Sequence, residues 1–274
     1  MVRLTVLLIV LLAPPLAARS DAAPAPEALR EWRAWAVSAV EHPPGGIQPF
    51  PALAERLREL IAKRRADAAG LEPLAPDQGL ERAARAHAID MLRRGFMAHE
   101  NPDGLTVSDR VALLARGFVG IAGENLAEHE GLALADLEAQ VGPLAVKMAD
   151  GWMASEGHRA NILRPDYTHD AISAFVQGAR LVIVHVFGAR LAALETGLEF
   201  EQPAGGALPL AFADRQPSGY AYRAHGQPVE DLVVLEPTSS EIAVDPGLYQ
   251  LMFLFPSDRE GSFDVADGPW IDVR

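Results

Sequence analysis

The chain contains no cysteine. That excludes disulfide bridges, a thiol nucleophile and lipid attachment through an N-terminal cysteine. Basic residues are few: 24 Lys and Arg stand against 37 Asp and Glu, a net charge of −13. No basic patch interrupts the deficit, so nucleic acid and anionic membrane surfaces are poor partners, because both are held through clustered Lys and Arg. Gly-x-Ser-x-Gly and His-Glu-x-x-His are also missing, which removes support for acyl transfer or zinc proteolysis of those types. No internal repeat is visible.

What remains is a globular composition, 49% hydrophobic and 22% charged over 274 residues, enough for one large domain or two of ordinary size. The charge is uneven. Residues 190–274 carry 5 basic and 14 acidic side chains, against 19 and 23 before them. The first 22 residues have the layout of a signal peptide. Arg3 gives a positive start, Leu4 to Ala13 form an apolar run closed by Pro14 and Pro15, and small residues follow at Ala17, Ala18, Ser20 and Ala22. That run is shorter than the roughly 20 apolar residues a bilayer span needs, so export to a periplasmic or extracellular location is expected, with no integral membrane segment after cleavage.

Periodicity then divides the chain. Residues 23–49 read as a linker and a short helix, Glu27 to Val40, ended by His42-Pro43-Pro44-Gly45-Gly46. From Phe50 the pattern predicts a helix stopped by Gly70, and a second capped by Asp77, with Leu80, Ala83, Ala84, His87, Ala88, Met91 and Leu92 on one face and Gly95 as its stop. Shorter helices are expected over Ser108–Arg116 and, weakly, Leu132–Val141. Gly142-Pro143 then breaks the pattern before Leu144–Ala154. Ala171–Val176 and Leu181–Phe187 read as a β-hairpin, and helices first with strands later argue for an α+β domain over residues 50–190. Residues 191–274, with short runs at Leu208–Phe212, Leu232–Leu235, Leu248–Phe255 and Trp270–Val273, read as a small all-β module that folds apart.

Three signatures follow one another in the middle of the chain: Gly95-Phe96-Met97-Ala98-His99, then Gly123-Glu124-Asn125, then Gly151-Trp152-Met153 through Gly157-His158-Arg159-Ala160-Asn161-Ile162-Leu163. Two imidazoles and a carboxylate from separate segments suit an open metal site or an acid/base pair. They equally suit loops held over a sheet by structural hydrogen bonds. His87, on the apolar face of its helix, reads as a core histidine.

Together with Asn101-Pro102-Asp103-Gly104 and Val184-His185-Val186-Phe187-Gly188, these pieces resemble the bacterial secreted branch of the CAP superfamily, the SCP-like relatives of cysteine-rich secretory proteins, antigen 5 and pathogenesis-related protein 1. The resemblance implies a three-layer α-β-α sandwich over residues 50–190 with a cleft in which two His and one or two Glu meet. It places His99, Glu124 and His158 at three of four positions. At the fourth, where full members carry Glu three residues after the Trp, this chain has Ser155, with Glu156 beside it. The resemblance also implies a divalent metal such as Zn²⁺ and a small apolar or lipid-like ligand. Three functions are compatible with these features: an exported, non-enzymatic binding module; a metal-assisted hydrolase with Glu124 as base; and an extracellular scaffold for a protein partner.

Overall fold

The computed structural model describes residues 24–131, 134–208, 210–227, 233–235, 245–257 and 263–274. The segment expected to be a signal peptide, residues 1–22, lies outside them.

Helix α1 (Pro26–Glu41) leads to β1 (Ile47–Pro49), α2 (Pro51–Ala69), β2 (Ala75–Pro76), α3 (Gln78–Arg94) and α4 (Val107–Leu114). Strand β3 (Phe118–Glu130), α5 (Leu134–Glu138), α6 (Val141–Ala154), α7 (Glu156–Ile162), β4 (His169–Gln177) and β5 (Arg180–Ala193) follow. The chain closes with β6 (Glu201–Gln202), β7 (Gly219–Ala224), β8 (Val233–Leu235), β9 (Gly247–Pro256) and β10 (Phe263–Val273).

The helix signals act as the sequence suggests. Pro51 opens α2, and Gly70 ends it at φ 63°, a conformation costly for any residue with a Cβ. Asp77 caps α3 by accepting the amides of Gly79 and Leu80, and Gly95 ends it at φ 70°. Thr106 and Asp109 form a capping box on α4. Pro143 does not break a helix. It stands in the first turn of α6, where its missing N–H has no partner to lose.

The sheet runs in the order β1-β4-β5-β3-β10-β9-β7-β8. Alternation along its strands builds two cores. Val182, Val184 and Val186 of β5 face α3 with Phe175 and Leu126, whereas Leu181, Ile183 and Phe187 face α2 and α6 with Leu53, Leu57, Met148 and Trp152. This is the three-layer sandwich.

The C-terminal strands continue the same sheet. The boundary expected at 190/191 falls inside β5, and β10 meets β3 at Gly120–Asp267. Val119 and Ala192 share a core with Leu251, Phe253, Phe255 and Ile271, while Trp270 and Leu248 pack with Leu29 and Trp32 of α1. Of the runs expected to be strands, Leu208–Phe212 supplies only a bridge, Phe212 to Leu194.

Beyond Gly120, β3 has β5 as its one strand neighbour among the described residues. Its free edge is capped by side chains. Asn161 of α7 donates to the carbonyl of Glu124 (3.1 Å), and the Trp152 indole of α6 donates to that of Leu126 (3.0 Å).

Candidate functional site

The site straddles this capped edge. Glu124 and Asn125 are consecutive residues of β3, so their side chains leave opposite faces of the sheet. Glu124 faces α3 and α4, and Asn125 faces α7. Asn125 donates its amide to the His158 carbonyl (3.0 Å) and accepts from Asn161 (2.9 Å), which fixes the helix carrying His158.

On the Glu124 side the contacts form a closed network. His99 donates its Nδ1–H to Glu124 Oε1 (2.9 Å), and Arg110 of α4 donates Nη2 to Oε2 (2.8 Å). Arg110 also donates Nη1 to the carbonyls of His99 (2.9 Å) and Leu105 (2.8 Å), so one guanidinium holds both the backbone of His99 and the carboxylate that orients its ring. His87 Nε2 donates to the Ala98 carbonyl (2.9 Å), tethering the same loop, and lies 3.9 Å from Glu124 Oε1.

Electrostatics follow from that packing. Burial alone would raise the Glu124 pKa, but the Arg110 guanidinium, with His87 and His99, overrides it and leaves the carboxyl at about 2. His87 is fully buried, which with the Arg110 charge pushes it down to about 3. Burial pushes His158 down to about 4, and the neighbouring His99 adds to the penalty on its protonation. Both imidazoles are therefore neutral at pH 7.

The expected residues differ in how they are engaged. His99 is partly exposed, and it meets Glu124 through Nδ1 and not through Nε2. His158 is 2% exposed, and neither of its ring nitrogens has a hydrogen-bond partner among the described residues. The buried Ser155 hydroxyl, three residues before it, has none either. Glu156 is exposed at the start of α7, so the buried member of the Ser155/Glu156 pair is the serine. Among the described residues, no three His, Asp or Glu side chains converge as a metal-ligand set.

Sequence reasoning missed Arg110. The available signal was an arginine in the apolar register of α4, one turn before Leu113 and Leu114, and it is 1% exposed. It also set His87 aside as a core residue. The ring is buried as expected, but its Nδ1 has no partner, and it stands beside the Glu124 carboxylate.

Residues 54–187 match the profile of the cysteine-rich secretory protein family, CAP. The chain is 34% identical over 110 residues to the uncharacterized protein YkwD of Bacillus subtilis (strain 168), covering 40% of this chain and 38% of that one. It is 36% identical over 102 residues to the uncharacterized membrane protein YlbC of the same organism, covering 36% and 25%. The chain thus spans well under half the length of these curated relatives. Among solved structures, an outer surface protein from Borrelia burgdorferi aligns at 19% identity and a TM-score of 0.44, over 52% of this chain and 98% of that one. An extracellular protein containing a SCP domain from Bacillus anthracis str. Ames aligns at 25% identity and 0.41, over 51% and 41%. No helix among the described residues is long and apolar enough to cross a membrane.

Proposed function

The chain belongs to the CAP family through residues 54–187, and from that premise we propose that it is an exported binding module whose cleft, at the capped edge of β3, takes a divalent transition metal between His99 and His158. The observation that carries this reading is the state of His158. A buried, neutral imidazole with both nitrogens unpartnered is costly unless a ligand completes it, and it stands beside His99, which meets Glu124 through Nδ1 and not through Nε2.

The residues fit such an ion as a pair of imidazoles. Glu124 stands behind His99, in the place of a carboxylate that fixes the tautomer and rotation of a ligating ring. It does not fit as a direct third ligand while its oxygens hold His99 and Arg110. A divalent cation bound there would supply a Lewis acid with open positions for a small ligand. The half-buried Phe96 and Met97, on the loop that carries His99, would supply its apolar contact.

The same geometry weighs against the hydrolase reading. A general base works best with a pKa near the operating pH, and a carboxylate held at about 2 by a buried arginine is far from it.

Calorimetric titration of the purified chain with Zn²⁺ at neutral pH tests the proposal. Saturable binding is expected, lost in His99→Ala/His158→Ala and weakening in acid, where protons compete with the metal and His158 titrates at about 4. A wild-type titration without saturation overturns it.

A further inference from the structure

A second cavity lies elsewhere, on the α2 side of the sheet. An open pocket of about 350 Å³ lies between α2, the Pro73–Pro76 segment and β4, with Ile61, Ala62 and Leu74 as its apolar wall. That is the lower end of the volumes that hold small organic ligands.

Its charged groups have an order. Along α2 they run Glu55, Arg58, Glu59 and then Arg65. The glutamates are exposed at the mouth, Arg58 is half-buried, and Arg65 is 2% exposed. Arg58 is neutralised by Asp170, to which it donates Nε (3.1 Å) and Nη2 (2.9 Å). Glu59 is tied at the surface to Arg56. Arg65 is different. Only two arginines of the described residues are buried, and the other, Arg110, has the Glu124 carboxylate as its counter-ion. Arg65 has backbone carbonyls alone: Nε donates to Glu72, and Nη1 to Ile162 and Arg164. No carboxylate of the described residues forms an ion pair with it, and burial lowers its pKa against the attraction of Asp170, which lines the same cavity. A buried cation without a counter-ion is a costly arrangement, and here it lines a cavity.

We propose that this cavity binds a short zwitterionic peptide, its free carboxylate against Arg65, its ammonium toward Glu59 and Glu55 at the mouth, and an apolar side chain against Ile61, Ala62 and Leu74. The dimensions agree. Glu59 and Arg65 are separated by about 9 Å of helical rise, and an extended dipeptide spans about 7 Å. The acidic mouth disfavours dianions such as phosphate esters, while the guanidinium in the interior disfavours simple amines. This inference is independent of the reading of His99 and His158.

The test is calorimetric or NMR titration of the full chain with the dipeptide Ala-Leu, its C-terminal amide and its N-acetyl form. Saturable binding of the free dipeptide is expected, weakened at least about tenfold by amidation, which removes the group facing Arg65, and less by acetylation at the exposed mouth. Ala62→Phe, which keeps Arg65 itself but puts a ring into the space beside it, should abolish binding while the thermal midpoint stays within a few degrees of wild type. Absence of saturation, equal affinity for the amide, or undiminished binding to Ala62→Phe would each overturn the proposal.

Discussion

At the scale of single residues, the protein is built to lose stability in acid. His87 and His158 titrate at about 3 and 4 in the folded chain against an ordinary value of 6.5, so between those limits the unfolded chain binds more protons than the folded one. Stability contributed by keeping them neutral is complete above pH 6.5 and declines as pH falls through the folded values. Glu124, depressed from 4.5 to about 2, adds a second loss that begins near pH 4.5. Urea midpoints measured from pH 7 to 3.5 should fall continuously, and His158→Gln should flatten the upper part of that slope. An unchanged midpoint over this range would contradict the assignment. His99 and His158 were legible in the sequence because each follows a helix stop within a spaced signature. Arg110 was not. Its sequence context is a short amphipathic helix, and nothing local tells a buried guanidinium from one reaching solvent until the carboxylate it meets, fourteen positions on, has been placed by the sheet.

At the scale of elements, the helices were readable and β3 was not. α2 and α3 carry their own caps, stops and apolar faces, so local chemistry is enough. Strand β3 holds Gly123, Glu124, Asn125, Glu128 and His129, a composition that looks like a loop, because the partners of Glu124, Asn125 and Glu128 come from outside the strand. Glu128 pairs with Arg180, and the two carbonyls at the edge are covered by Asn161 and Trp152. Close packing also explains Gly123, where an added Cβ would lie 2.0 Å from the Tyr167 hydroxyl. Asn161 is the critical donor, since its amide serves both the Glu124 carbonyl and Asn125 Oδ1. Asn161→Asp turns those two contacts into acceptors facing acceptors, and a loss of about 1–3 kcal/mol is expected from chemical denaturation. A variant as stable as wild type would mean that the edge is satisfied by other means.

At the scale of the whole molecule, residues 191–274 share packing with the CAP domain through two cores and through Arg30, which donates to the buried Asp272 at 2.7 Å. The composition shift near residue 190 was visible in the sequence, but the shared rung between Gly120 and Asp267 was not, because strand pairing at that separation leaves no local signature. Ending the chain at Ala192 uncovers Val119 and removes Trp270 and Leu248 from α1. A thermal midpoint lower by about 10 °C or more is expected for that truncation, and a single cooperative transition for the full chain. Two separate calorimetric transitions, or an unshifted truncated protein, would show that the two parts fold independently.

The single rung between β10 and β3 has a further consequence. Strand and helix divide one rail between them: at Gly120 it meets β10, and at Glu124 and Leu126 it meets the side chains of α7 and α6. Had β10 stayed zipped along β3 for four more pairs, as far as Glu124, backbone amides would occupy the place of Asn161, and α7 would be displaced from the sheet. His158 rides on that helix, so the point at which one strand lets go of another decides whether there is room for a site at all.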